Sequence, residues 1–294
     1  MEKAVYHLPG LFEFYEFYRK FLPIYREKTE YFYDWCQIGS LYGAPADCLW
    51  AGGRVSTGNA DPRQVLALTE EYGLSARLTF SNSLLRPEHL KDPKCNRLCA
   101  LFGAEPGNGV IVHSELLLDY LKEEYPNFYF VSSTTKVLTD FEDLAAETER
   151  PDFRYVVPDF RLNKAFDRLA GLKEKRKVEF LCNECCWPGC RERKKCYENV
   201  SRKNLGERCP DHICAAPEGE KGYRFSAAMK NPAFIGIRNI RETYLPMGFS
   251  QFKIEGRGLG SAMLLEFILY YLTKPEYQLP LREEMYLDSM LDLF

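Results

Sequence analysis

The sequence predicts an α/β fold, specifically a closed (β/α)8 barrel of the TIM type. Short apolar runs rich in β-branched or aromatic residues alternate along the chain with amphipathic stretches of helical length. Eight such runs match the eight strands of a parallel barrel, and 294 residues is an economical length for that fold. Since no Ser/Gly linker, repeat or low-complexity tract divides the sequence, we expect a single domain over residues 1–294.

The elements follow from the apolar patterns in chain order. Eight strands are predicted, at residues 4–8, 47–50, 77–81, 109–113, 128–132, 155–158, 177–181 and 251–255. Helices are predicted between them, at residues 62–72, 114–124, 162–172 and 260–272. In the second helix Leu121 follows Leu117 by four residues and Leu118 by three, so one face is expected to be buried. The aromatic-rich stretch 12–35 predicts a buried first helix, with a stacking or subunit surface as the alternative.

Residues 182–214 form the most distinctive segment, a cysteine-rich insert after the seventh strand that holds seven of the eleven cysteines. Thiolates are soft ligands, and closely spaced cysteines around a turn such as Pro188-Gly189 can converge on one metal centre. The spacing favours an iron–sulfur cluster over the alternative, zinc. We predict four cysteines as ligands of this metal centre: Cys186, Cys190, Cys209 and Cys214.

Other interpretations of the cysteines are weaker. Disulfide frameworks belong to small secreted domains, whereas this chain is 46% hydrophobic and can bury a large core. Its first residues form no apolar signal segment, and no stretch of about 18 apolar residues predicts a membrane span, so we expect a reducing cytoplasm. Some of the clustered thiols could instead be core residues, as is expected for Cys95 and Cys99, which lie four apart on a helix. Cys36 and Cys48 are expected in strands.

Candidate substrate-binding residues follow the predicted strands. Active sites of TIM barrels gather at the carboxyl ends of the strands. Arg54 follows the second strand, and Glu255 and Arg257 follow Lys253 at the end of the eighth. Guanidinium groups bind carboxylates through two parallel hydrogen bonds, so Arg54 and Arg257 are predicted to hold a small anionic substrate over the cluster. An internal ion pair between Glu255 and Arg257 is the structural alternative.

Several segments, in the same order, resemble peptidase family U-32. They are residues 45–54 (PADCLWAGGR), 109–114 (GVIVHS), 130–135 (FVSSTT), the cysteine cluster and, most specifically, 252–257 (FKIEGR). The resemblance implies a barrel-like fold and an oxygen-sensitive [4Fe-4S] cluster held by four cysteines. It also implies kinship with oxygen-independent hydroxylation factors for ubiquinone precursors, transfer RNA or ribosomal RNA, some of which take oxygen from prephenate. Other members carry a collagenase label.

The expected function is therefore that of an iron–sulfur hydroxylase or oxidoreductase acting on a small anionic or aromatic substrate. RNA modification is an alternative because residues 173–208 carry 11 Lys/Arg against 6 Asp/Glu, but aromatic residues do not alternate with these charges as they do in many RNA-binding surfaces. A peptidase-like or structural zinc protein is a third interpretation, although neither His-Glu-x-x-His nor Gly-x-Ser-x-Gly occurs. A homo- or hetero-oligomer is compatible with the sequence.

Overall fold

The chain forms an eight-stranded parallel barrel in a computed structural model that describes residues 2–53, 58–217 and 222–291, with side chains up to residue 286. The sheet order is β6-β5-β4-β3-β2-β1-β8-β7, and each neighbouring pair is parallel. A parallel bridge between Val156 and Val178 joins the two edges and closes the barrel. The strands are β1 Ala4–Pro9, β2 Cys36–Gly43, β3 Ser75–Phe80, β4 Gly109–Val112, β5 Tyr129–Ser132, β6 Phe153–Val156, β7 Glu179–Leu181 and β8 Gln251–Lys253. The predicted (β/α)8 fold is confirmed.

Helices alternate with the strands around the outside of the barrel. They are α1 Tyr15–Glu27, α2 Pro62–Glu71, α3 Pro93–Phe102, α4 Glu115–Glu124, α5 Phe141–Glu149, α6 Phe166–Ala170, α7 Arg193–Asn204, α8 Phe225–Ala228, α9 Ile237–Asn239, α10 Ser261–Tyr271 and α11 Gln278–Leu291. Side chains of Asp61, Asp92, Ser114 and Asp140 accept backbone N–H groups at the starts of α2 to α5, as N-caps do. In the described ranges, none of these helices has the length and apolarity required to cross a bilayer.

Two apolar clusters hold the fold together. The larger lies between the strands and the helices and includes the predicted face Leu117, Leu118 and Leu121 of α4. The smaller lies inside the barrel and consists of five buried residues: Tyr42, Ile111, Val131, Val157 and Leu181. Since successive strand residues point to opposite faces, both faces of the sheet are covered, as in other parallel barrels.

The second predicted strand was misplaced. Residues 47–50 form turns, while the strand lies upstream at Cys36–Gly43. The expectation for Cys36 is confirmed, and that for Cys48 is wrong. Gly39 and Ser40 interrupt the apolar run of β2, so its pattern is weak. In 47–50, Cys48 and Trp50 are buried without forming a strand, and Trp50 donates its indole N–H to the His89 carbonyl at 2.8 Å. The helix predicted at 162–172 is also shorter, at Phe166–Ala170.

Candidate active site at the carboxyl ends of the strands

A small cavity of about 40 Å³ lies where the strands end, the position expected for the active site of a barrel. It is lined from β2, β3, β4 and β8, from the loop after β5, and from α7. The lining residues are Tyr42, Gly53, Thr79, Ser81, Ile111, Ser133, Thr134, Thr135, Tyr197, Lys253, Glu255 and Arg257. Most of them are hydroxylic or charged, so the site is equipped to bind a polar ligand.

Three polar atoms in this cavity are buried and have no hydrogen-bond partner among the described residues: Arg257 Nη1, Ser81 Oγ and Thr79 Oγ1. Leaving such a group unsatisfied costs about 1–3 kcal/mol, and more for a charged one. Buried polar atoms without protein partners usually have a water, an ion or a ligand as partner. The three atoms therefore favour a ligand with oxygen acceptors and donors.

Lys253 places an amine in the same cavity. Its Nζ lies 3.8 Å from the centroid of the Tyr42 ring and 3.7 Å from Glu179 Oε1. Burial is the main cause that lowers the pKa of Lys253 to about 8; Glu179 and Glu255 raise this pKa, whereas Arg77 and Arg257 lower it. A lysine of this kind can exchange a proton near neutral pH, which an exposed lysine cannot.

A buried ion network lies below the cavity, in the barrel interior. Arg77 Nη1 lies 2.5 Å from Glu179 Oε2, and Arg77 Nε donates to the Tyr129 hydroxyl at 2.8 Å. Burial alone would raise the pKa of Glu179, but Arg77, His7 and Lys253 lower it to about 2. Glu179 is therefore ionised at neutral pH and compensates the positive charge that surrounds it.

His7 completes this network as a neutral side chain. Its Nδ1 lies 2.8 Å from Ser40 Oγ and its Nε2 lies 3.0 Å from Gln251 Oε1. Burial, together with the charge of Arg77, lowers the pKa of His7 to about 3. The ring is thus uncharged at neutral pH and serves as a hydrogen-bonding member of the network.

Helix α7 covers the cavity. Tyr197 contributes to the lining, and the hydroxyl of Ser201 accepts the backbone N–H of Ser83, after β3, at 3.1 Å. Near the start of the helix, the buried Arg193 donates to Glu184 Oε2 at 2.7 Å and lies 3.3 Å from Asp159 Oδ2. Polar contacts at both ends therefore hold α7 across the strand ends, where Tyr197 forms part of the cavity wall.

Two of the three predicted substrate-binding residues meet at this cavity: Glu255 and Arg257. Arg54 lies outside the described residues, so its role stays a prediction. The preceding Gly53 is described and approaches Arg257 closely. A Cβ on Gly53 would lie 2.1 Å from Arg257 Nη2, so only glycine leaves room for the guanidinium in its present position.

The predicted cluster ligands are divided between different surroundings. Cys186 and Cys214, with Cys185, line a second cavity of about 620 Å³. Cys190 is buried and Cys209 Sγ accepts from Asn199 Nδ2 at 3.6 Å, and neither lines that cavity. Within ranges 2–53, 58–217 and 222–291, no group of three or more His, Cys, Asp and Glu is arranged to hold a metal ion. The four predicted sulfurs therefore do not all line one cavity, and the cluster stays a prediction.

The cysteines of the core behave as expected. Cys95 and Cys99 are buried on α3, and the sulfur of Cys95 lies 3.4 Å from that of Cys48. Burial raises the pKa of Cys99, which keeps it a protonated thiol. The prediction that Cys95 and Cys99 are core-packing residues is confirmed.

Sequence reasoning missed Arg77 and Glu179 and gave Lys253 no role. The available signal was a charged residue inside an otherwise apolar strand: Arg77 begins the predicted strand 77–81, and Glu179 lies in the middle of 177–181. Such charges in strands buried on both faces must be paired in the interior. Arg77 and Glu179 could thus have been assigned to the inside of the barrel.

Comparison with known proteins supports the fold. No family model and no curated protein matches the sequence. Among solved structures, that titled the U32 peptidase Mk0906 is similar, with a TM-score of 0.55 and 15% sequence identity over 86% of this chain and 92% of that chain. At this identity the likeness shows the fold. The resemblance to family U-32 found in the motifs is therefore matched by a U32-like barrel.

Proposed function

We propose that this chain is an enzyme that binds a small carboxylate at the strand ends of the barrel, with Arg257 holding the carboxylate group. The observation that carries the proposal is the Nη1 atom of Arg257, which is buried at the cavity without a hydrogen-bond partner among the described residues. A guanidinium binds a carboxylate with two charge-assisted hydrogen bonds, which would satisfy that atom.

The size of the cavity supports a small substrate. A volume of about 40 Å³ corresponds to about three water molecules, since one water needs roughly 10–15 Å³ by this measure. Three waters occupy about 90 Å³ in the liquid, which is comparable to an acid of three or four carbons. The hydroxyls of Ser81 and Thr79 would bind its remaining oxygen atoms.

Lys253 supports catalysis rather than binding alone. A side chain with a pKa of about 8 can accept or donate a proton at neutral pH, and it faces the same cavity as Arg257. Lys253 and Arg257 are both buried, so their charges act in surroundings of low polarity and their interactions are stronger. Arg257 would orient the substrate, and Lys253 would transfer a proton to or from it.

Calorimetric titration of the full chain with acetate, pyruvate, lactate and succinate tests the proposal. We expect at least one of these acids to bind and Arg257→Met to weaken that binding by about 10- to 150-fold, since a charge-assisted hydrogen bond contributes roughly 1.5–3 kcal/mol. Arg282→Met is the control, because Arg282 pairs with Glu266 on the outer helices. The proposal is wrong if none of the acids binds, or if both variants bind as the wild type does.

We also propose that the chain binds an iron–sulfur cluster and has the hydroxylation function that the sequence predicts. It is supported by the three thiols around the larger cavity, those of Cys185, Cys186 and Cys214. Iron and acid-labile sulfide would be counted after anaerobic reconstitution of the wild type, Cys186→Ala and Cys190→Ala, with the α7 variant Cys196→Ala as control. A full cluster in both of the first two variants would contradict the ligand assignment, and bound zinc in the purified protein would favour a structural zinc site.

A further inference from the structure

The surroundings of Lys253 match those of lysines that react as nucleophiles. Its side chain is 6% exposed and lines the cavity, and Arg77 and Arg257 act on its charge against Glu179 and Glu255. Enzymes activate lysine amines in this way, by removing them from water and placing them near other cations. An amine used only for ion pairing would not need access to a cavity.

We propose that Lys253 forms an imine with the ketone carbon of a 2-oxo acid whose carboxylate is bound by Arg257. The inference rests on the proposed function, since it requires the carboxylate site. In a 2-oxo acid the carboxylate and the ketone are adjacent carbons, so one small cavity must offer both an anion-binding group and an amine. Lys253 and Arg257 meet that requirement, because both line the cavity of about 40 Å³.

The reaction balances without any redox partner. The lone pair of the neutral Lys253 Nζ attacks the ketone carbon, the N–C bond forms, and the C=O π electrons move to oxygen. A proton passes from nitrogen to that oxygen and gives a carbinolamine. The C–O bond then breaks, a second proton leaves with the oxygen as water, and C=N remains. The sum is amine plus ketone giving imine plus water.

Two neighbours would stabilise the positive charge that the protonated imine places on Nζ. The face of Tyr42 lies 3.8 Å from Nζ, and its hydroxyl donates to the Ile254 carbonyl at 2.6 Å, which fixes the ring. Glu179 Oε1 lies 3.7 Å from Nζ and is buried, without a hydrogen-bond partner among the described residues. Both groups are therefore placed to attract a cation at this atom.

The acidity of the amine agrees with this role. Burial lowers the pKa of Lys253 to about 8. About a tenth of the molecules would then carry the neutral amine at pH 7, some 250-fold more than for an ordinary lysine with a pKa near 10.4. The charged groups that face Nζ are Glu179, Arg77, Glu255 and Arg257. We expect the rate of imine trapping to rise with pH through about 8 and then level off.

Reductive trapping tests the inference on the full chain. Wild-type protein would be incubated with pyruvate and cyanoborohydride and then digested for mass spectrometry. We expect one reduced pyruvyl group per chain, on the peptide that contains Lys253, and an adduct yield at least about tenfold lower for Lys253→Met. Lys164→Met is the matched control, because Lys164 is half-buried outside the cavity and donates to Asn239. Circular dichroism would show that both variants fold.

The outcomes separate this inference from the proposed function. Lactate carries the carboxylate without the ketone, so it should bind without forming an adduct. If pyruvate binds in an Arg257-dependent manner and yields no adduct on Lys253, the imine is wrong while the carboxylate site stands. Adducts spread evenly over exposed lysines would also overturn the imine. If no acid binds at all, the proposed function fails as well.

Discussion

Replacing Glu179 by glutamine tests the ion network inside the barrel. Both members of the Arg77–Glu179 pair are at most 2% exposed, and their closest N and O atoms are 2.5 Å apart. Removing one charge leaves Arg77 buried beside Lys253 without its main counter-charge. Breaking a buried pair in this way costs about 3–5 kcal/mol, and we expect about 3 kcal/mol because glutamine keeps the volume and some hydrogen bonds.

The measurement is equilibrium unfolding in urea at neutral pH, followed by tryptophan fluorescence and circular dichroism, whose transitions should coincide if unfolding is two-state. The control is Glu71→Gln, which removes an exposed pair with Arg26 at 3.5 Å and should lower the free energy of unfolding by less than about 1 kcal/mol. If the free energy of unfolding falls equally little in both variants, Glu179 does not compensate a buried charge. Since Glu179 raises the pKa of Lys253, the same variant should move the pH dependence of imine trapping to lower pH.

Three further predictions concern single contacts. The pKa of His7 is about 3 in the folded chain against 6.5 for an ordinary histidine, so folding favours the neutral ring. The free energy of unfolding should therefore fall by about 1.4 kcal/mol per pH unit as pH falls from 6.5 towards 3, and this slope should be absent in an acid titration of His7→Gln. Gly53→Ala should displace Arg257 and weaken acid binding about tenfold in calorimetry, whereas Gly171→Ala, where a Cβ meets only an ordinary contact at 3.4 Å, should not. Ser201→Ala should cost about 1 kcal/mol in urea unfolding, and an unchanged midpoint would show that its hydrogen bond to the loop after β3 contributes little.

The sequence was most informative where a local pattern determines structure. The continuous apolar run of β4 and the amphipathic pattern of α4 can both be recognised within a few residues, and both elements were predicted. Strand β2 was missed because Gly39 and Ser40 interrupt its apolar run. The Ser40 hydroxyl is buried and contacts His7 on the neighbouring strand β1. The residue pattern of β2 can be explained only from its neighbours in the closed barrel.

The site was predictable to the extent that the barrel fold implies it. Strand ends form the active-site face, so Glu255 and Arg257 could be placed there from the strand assignment alone. The pairing of Arg77 with Glu179 joins residues 102 positions apart and depends on the register of several strands. Cysteine spacing likewise shows which thiols could meet but not which do, because that depends on the path of the chain between them.

The Glu184 carboxylate connects the cysteine segment at the larger cavity to helix α7 at the smaller one. One of its oxygens accepts the backbone N–H groups of Cys185 and Cys186, at 3.0 and 3.1 Å, and the other accepts from Arg193 at the start of the covering helix. Chemistry at those sulfurs that withdrew their backbone from Glu184 would loosen Arg193, and with it the helix that carries Tyr197. By thermodynamic linkage, a ligand that held Tyr197 in place would in turn favour one state of the sulfur segment.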